Sequence, residues 1–265
     1  MLLKVGELIN STRRQIRSAI VERDAACIRD TARRQRDAGA DVIDLNAGES
    51  GERELEDLLW LIRVVEDDLG PDIRLGIDTS NPTVMARAIE ACSAVPLMNS
   101  ISNEPARLPL IEIAAQCGCD VIGLAMGSEG MPRTVDDRVR EADALVSACA
   151  AAGIDNDKLY VDLICMSAAT SPEQGRALLD AVRQVRRELS AKPLVAVSNV
   201  SFGLPGRRLL NRTFLAMLIE AGLAGAILDP TAPGILETIC AAQALLGADA
   251  YCMDYIRRHR AQTKP

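Results

Sequence analysis

Aromatic side chains are nearly absent from this chain: one Trp, two Phe and three Tyr in 265 residues, or 2%. Its core must therefore be built from Ala, Leu, Ile and Val. There is a single histidine, His259, and it stands in the basic segment YIRRHRAQTKP. A lone imidazole among solvated charges leaves no Ser-His-Asp or Cys-His arrangement and no His-based zinc centre, so no metal site is expected. No P-loop is present, and no GxGxxG follows a strand-like run, which removes the usual nucleotide fingerprints. The net charge of -7 supplies no basic stripe for nucleic acid. No stretch approaches 18 uncharged apolar residues, so no membrane-spanning helix is expected. The opening MLLKVGELIN runs directly into strand-like sequence without a secretory leader pattern. Eight cysteines are scattered without a CxxC pair, which predicts a reducing, cytoplasmic setting with thiols acting as small hydrophobes. Cys117 and Cys119 read the same way, as two buried thiols where a helix leads into a strand, and Cys165 as packing.

What is present is a hydrophobic fraction of 48% arranged in eight short runs. They occupy 3–9, 41–46, 73–78, 96–101, 120–126, 159–164, 193–199 and 225–229. Most are apolar on consecutive positions, as in parallel strands covered on both faces. The stretches between them have helical period. In 172–189, Leu178, Ala181, Val182, Val185 and Leu189 fall on one stripe; in 52–69, Leu55, Leu58, Leu59, Ile62, Val65 and Leu69 do so. Ser171-Pro172-Glu173-Gln174 reads as a capping box with Pro at the first helical position, and Asn81-Pro82 resembles it. Gly39 and Gly153 fall where helices should stop. No linker divides the chain. Eight β-then-α units predict an α/β fold, a single (β/α)8 TIM barrel over 1–265 with 251–265 as a helical tail; an open doubly wound sheet is the alternative.

Several of these runs finish on a polar residue that an apolar strand does not require. Asp78 ends LGID, Asn99 interrupts LMNSIS, Asp162 lies in YVDLIC and Asn199 in VAVSNVSFG. In a closed parallel barrel such strand ends face one mouth. They would offer it two acceptor-only carboxylates and two amides, a set suited to a heterocycle rich in N–H and C=O groups. Glu7 and Asn10 in GELIN add polarity at the first run. The segment GSEGMP, 127–132, reads as a flexible loop over the mouth. Gly203 and Gly206 make a loop after the seventh run, with Arg207 and Arg208 behind it; a guanidinium there could fork onto a ligand carboxylate.

At GELIN, DVIDLNAG, GIDTSNP, MNSIS, VDLI and SNVSFGLPGRRLLNRTFLAMLIEAGL the sequence resembles the methyltetrahydrofolate–corrinoid methyltransferases. These belong to the pterin-binding barrels, alongside dihydropteroate synthase and the folate domain of cobalamin-dependent methionine synthase. The resemblance spans essentially the whole chain and implies a pterin-binding TIM barrel. It implies that Asp78, Asn99 and Asp162 bond the amide and amino edge of the pterin. It implies too that Asn199 sits by N5, with Ser198 close by. The activity so implied moves the N5 methyl group between 5-methyltetrahydrofolate and the cobalt of a corrinoid (cobalamin) carried by a partner protein. Family members are homodimers. Two alternatives stand beside it: a dihydropteroate synthase-type condensing enzyme, and a non-catalytic folate-binding or corrinoid-docking subunit. Against the first, GAILDP replaces the expected closing Arg-x-His element, and LINSTR replaces the diphosphate-binding turn.

Overall fold

The computed structural model describes residues 2–71 and 73–263; residues 1, 72, 264 and 265 of the expected domain lie outside it. Eight strands alternate with helices: β1 (Leu3–Asn10), α1 (Arg14–Glu22), α2 (Ala25–Asp37), β2 (Val42–Asn46), α3 (Glu54–Leu69), β3 (Arg74–Asp78), α4 (Pro82–Ala91) and β4 (Leu97–Ser102). There follow α5 (Leu108–Cys117), β5 (Asp120–Leu124), α6 (Val135–Ala151), β6 (Leu159–Asp162), α7 (Gln174–Glu188), β7 (Lys192–Ala196), α8 (Arg207–Glu220), β8 (Gly225–Leu228), α9 (Ile235–Leu245) and α10 (Met253–Thr263). The strands are all parallel and close in sequence order, with β8 returning to β1 through Leu3↔Gly225 to Gly6↔Leu228. The open-sheet alternative is thereby excluded.

The sequence supports each layer in a simple way. Outside the barrel, helices bury one apolar stripe against the strands: Leu178, Ala181, Val182 and Val185 of α7, and Leu58, Leu61, Ile62 and Val65 of α3. Inside it, Val5, Val42, Leu97, Ile122 and Leu194 form a separate buried cluster, joined by Leu3, Tyr160 and Ile227. This cluster plugs the lower barrel. Because side chains alternate along a strand, the next inward position lies two residues further on. Those positions are Glu7, Asp44, Asn99, Leu124, Asp162 and Ala196. The barrel interior thus changes from an apolar floor to a largely polar layer within one pleat.

Local signals are mixed. Asn81 caps α4 as expected, accepting from the Thr83 N–H at 3.0 Å and the Val84 N–H at 3.4 Å. Gly39 and Gly153 take positive φ just past the ends of α2 and α6. The capping box at Ser171–Gln174 does not form: α7 starts at Gln174 without a side-chain cap. The amide of Gln174 turns inward instead, accepting from Arg138 and donating to the Arg133 carbonyl. A buried guanidinium outcompetes a cap. The reading of Cys117 and Cys119 as free thiols is also corrected. Gly118 ends α5 in the left-handed region, bringing the two Cα atoms within 5.4 Å, and the sulfurs are joined as a disulfide. Cys165 is buried packing. No helix among the described residues is long and apolar enough to cross a membrane.

Candidate functional site

The polar layer opens into a cavity of about 450 Å³ at the C-terminal ends of the strands. Its walls include Glu7, Asp44, Asn46, Glu54, Asp78, Asn99, Ser100 and Arg107, with Leu124, Ala196 and Ile227 below. A second cavity, about 250 Å³, adjoins it; Glu7 lines both, and Arg13, Ser198, Arg207, Arg208, Asn211 and Asp229 complete the second.

Each carboxylate of the layer is held by a neutral donor, and Glu7 also by Arg13 Nη2 on its Oε1 at 3.4 Å. Asn46 Nδ2 donates to Asp78 Oδ2 at 2.9 Å. Asn99 Nδ2 donates to Asp44 Oδ1 at 3.3 Å. The Ile164 N–H donates to Asp162 Oδ1 at 2.9 Å, and Ser198 Oγ donates to Glu7 Oε2 at 3.2 Å. The register explains the first, since Asn46 lies opposite Asp78; the second joins β4 to β2 across β3, where the residue opposite Asp44 is Gly76, which has no side chain in the way. The outer rim adds Thr79 Oγ1 donating to Glu54 at 2.5 Å and Arg107 donating to Ser100 Oγ at 3.2 Å.

Burial raises every acid in this layer. Asp162 is pushed up to about 6 by desolvation, against a lowering from the Ile164 N–H. Asp78 also reaches about 6; desolvation dominates, while Asn46 and Arg107 pull down and Glu54 pushes up. Asp44 lies well above the usual carboxylate range, first from burial and then from the Asp78 charge, with the Asn99 bond opposing. Glu7 is raised by burial, partly offset by Arg13 and Ser198. The layer is therefore an array of buried carboxyls, all raised above the ordinary range, whose ionised oxygens are fit to receive N–H groups. No cluster of three or more His, Cys, Asp or Glu side chains with metal-holding geometry occurs among the described residues.

Of the residues expected from sequence, Asp78 and Asn99 line the larger cavity, and Asp162 is 6% exposed in the same inward layer. Ser198 and Arg207 line the smaller one. Asn199 is elsewhere than a strand end. β7 stops at Ala196, and Asn199 lies in the 3-10 helix Val197–Ser201 with its side chain exposed, outside both linings. Arg207 uses two donors on that same turn, Nε to Ser201 Oγ at 3.0 Å and Nη2 to the Ser198 carbonyl at 2.8 Å. The segment 127–132 forms a turn closed by a Gly127–Gly130 bridge. Sequence reasoning missed Asp44 and Asn46. The signal was available, because Val42-x-Asp44-x-Asn46 places both on the face of a plug residue.

Fold and site together define a (β/α)8 barrel whose mouth is an acidic, amide-lined pocket. Residues 6–229 match the family model of the pterin binding enzymes, and the chain belongs to that family. It is 29% identical over 266 residues to a methylcorrinoid:tetrahydrofolate methyltransferase of Eubacterium limosum, covering 98% of this chain and 96% of that protein. It is 27% identical to a methionine synthase of Mycobacterium leprae, covering 85% of this chain but 20% of that longer protein. Among solved structures, a Coxiella burnetii dihydropteroate synthase in complex with pteroic acid superposes with a TM-score of 0.74 at 17% identity, covering 94% of each chain. A Yersinia pestis dihydropteroate synthase with a pterine-sulfa conjugate gives 0.71 at 21%, over 93% of this chain and 94% of that one. These two likenesses are likenesses of fold.

Proposed function

We propose that this protein is a methyltransferase that moves the N5 methyl group between methyltetrahydrofolate and the cobalt of a corrinoid held by a separate protein. The observation that carries this reading is the tethered acceptor layer of Asp44, Asp78, Asn99 and Asp162 at an open barrel mouth. The near-complete, reciprocal coverage of the methylcorrinoid:tetrahydrofolate methyltransferase relative supports it. In this reading Asp78, Asn99 and Asp162 take the pterin's amide and amino edge. The pterin lies on the apolar floor with N5 turned toward the β7 side of the rim.

Methyl transfer breaks the N5–CH3 bond and forms a Co–CH3 bond. Cobalt(I) supplies the electron pair of the new bond and becomes cobalt(III), while the old bonding pair stays on nitrogen, which takes a proton from solvent. A tertiary amine leaves poorly, so a hydrogen bond to the protonated N5 stabilises the transition state more than the ground state. The Asn199 carboxamide on the rim turn is assigned that contact, with Ser198 and Glu7 behind it. Its exposed position also faces the side from which a corrinoid-bearing partner must arrive. Arg207 holds the turn and has donors left for an anionic folate tail. We read the protein as a cytoplasmic homodimer; exposed Leu209, Leu210 and Met217 on α8 provide an apolar face for a second copy.

The test follows the cobalt spectrum after mixing protein, methyltetrahydrofolate and cob(I)alamin. Methylcob(III)alamin is expected, and Asn199→Ala should lower kcat roughly 10²–10³-fold while changing folate KM little. A loss confined to KM removes Asn199 from the chemistry. Tight folate binding without methyl transfer supports the non-catalytic subunit instead, and product from p-aminobenzoate and pterin diphosphate supports the condensing enzyme.

A further inference from the structure

Arg138 is the only fully buried cation among the described residues, at 0% exposure. It sits in the first turn of α6, where the helix dipole disfavours positive charge. No carboxylate pairs with it. Its partners are instead backbone and amide oxygens: two carbonyls of the loop that follows β6, the side chain that opens α7, and the carbonyl that caps α6. Nε donates to the Leu163 carbonyl at 2.8 Å, and Nη2 to the Ile164 carbonyl at 3.2 Å and to Gln174 Oε1 at 2.8 Å. Nη1 donates to the Thr134 carbonyl at 3.1 Å. A buried charge in an unfavourable helix position needs a reason beyond packing.

Two of the three carbonyls it grips belong to the residues directly after Asp162. Ile164 takes φ +56°, a left-handed conformation that a β-branched side chain resists. The Leu163 carbonyl and the Ile164 N–H are the two ends of one planar peptide unit, so the Arg138 bond to that carbonyl fixes the direction of the N–H, which meets Asp162 Oδ1 at 2.9 Å. We propose that Arg138 is a positioning residue for the pterin site: by clamping the Leu163 carbonyl it fixes the peptide plane whose N–H holds the Asp162 carboxylate, and by clamping the Ile164 carbonyl it keeps the strained turn beyond that plane in place. Lysine cannot substitute, because one ammonium cannot span both carbonyls and Gln174. The role rests on the reading of Asp162 as a pterin contact.

The same geometry sets a titration. Losing the Ile164 N–H removes a bond to the charged carboxylate, which moves its pKa upward from about 6. Asp78, also raised to about 6, titrates in the same window but is not touched by Arg138, so it is common to the wild-type and variant profiles. The Cys165 thiol is pushed up to about 12 by burial and stays neutral, and Arg138 stays charged although burial lowers it.

Methyltetrahydrofolate binding measured by calorimetry across pH 5–8 tests the proposal. Arg138→Lys is expected to weaken binding roughly tenfold at pH 7.5 and to move the acidic limb up by about one unit. Ile164→Gly in that background should restore most of the loss, because glycine adopts the left-handed region freely. A folded Arg138→Lys protein with unchanged affinity and limb overturns the proposal, as does failure of the glycine to rescue. Should Arg138→Lys not fold, Gln174→Ala is read the same way, with a loss of about threefold expected and unchanged affinity overturning it. Asp162→Asn is measured alongside. If it binds folate normally, the pterin role of Asp162 falls and takes the positioning role with it. If it loses binding while both clamp variants retain it, only the clamp is refuted.

Discussion

Replacing Asp162 with Asn should stabilise the ligand-free protein while abolishing its grip on folate. Burial pushes the Asp162 carboxyl up to about 6 from an ordinary 3.8. One pKa unit corresponds to about 1.4 kcal/mol, so the ionised carboxylate costs the native state about 3 kcal/mol once it is fully charged. The side chain is 6% exposed, so solvent does little to screen that penalty. The sign follows from proton binding. Between pH 3.8 and about 6 the native state holds this proton and the unfolded chain has released it. Stability contributed by Asp162 is therefore highest at low pH, falls as pH rises through that window, and is flat above it. Asparagine does not titrate. Its carbonyl can still accept from the Ile164 N–H, which keeps the loop geometry constant.

The assay is urea denaturation of both proteins at steps from pH 4 to 8. The variant's advantage should be near zero at pH 4 and grow to at most about 3 kcal/mol by pH 7. In melting temperature that ceiling is roughly 6–12 °C for a domain of this size. Asp44 and Asp78 titrate too, but they are present in both proteins and cancel to first order in the difference. An advantage independent of pH, or a variant less stable than wild type at pH 8, would refute the idea that desolvation dominates at this position.

Two further substitutions probe the frame around the site. An Ala at Gly76 would put its Cβ 2.6 Å from Asp44 Oδ1 and 3.2 Å from Asp44 Cα, and backbone cannot give way. Gly76→Ala should displace Asp44 from Asn99, lower folate affinity at least about tenfold and destabilise by about 1–3 kcal/mol, read by calorimetry and denaturation. Asn81→Ala removes the α4 cap and should lose about 1 kcal/mol of stability in urea with folate affinity unchanged.

The barrel was legible because each parallel strand is covered on both faces and therefore reads as an uninterrupted apolar run. Residues of the inward polar layer were legible where polarity broke such a run near its end, as at Asp78, Asn99 and Asp162. Asp44 escaped attention because VIDLN carries it in mid-strand, where an acid looks like an exception and not a pattern. Only the lining of Val5, Val42, Leu97, Ile122 and Leu194 inside the barrel shows that the residue two places on is inward as well. Asn199 was placed at a strand end because VAVSNV is apolar up to it. Yet β7 closes at Ala196, and the 3-10 turn that follows carries Asn199 out to the rim. Gln174 shows a different failure. A helix-start pattern is a local bid for hydrogen bonds, and a fully buried guanidinium from a neighbouring helix makes a stronger one.

Four raised carboxylates inside one barrel are a stability burden, and their tethers indicate what they are for. Each has one oxygen fixed by a donor: Asp78 by Asn46, Asp44 by Asn99, Asp162 by the Ile164 N–H, Glu7 by Ser198. Those donors are neutral; of the four acids, Glu7 alone also meets a cation among the described residues, Arg13 at 3.4 Å on its other oxygen. A cation in their place would have neutralised the layer and left little for a ligand to do. With neutral tethers the second oxygen of Asp44, Asp78 and Asp162 is oriented but not satisfied among the described residues. A ligand edge bearing several N–H groups would meet aligned acceptors whose ordering was completed during folding, so binding avoids that entropy. Burial then strengthens each contact by excluding water. The acids below the mouth are therefore best suited to recognition. The change in charge that methyl transfer requires belongs at the rim, where the strands have ended and a partner can approach.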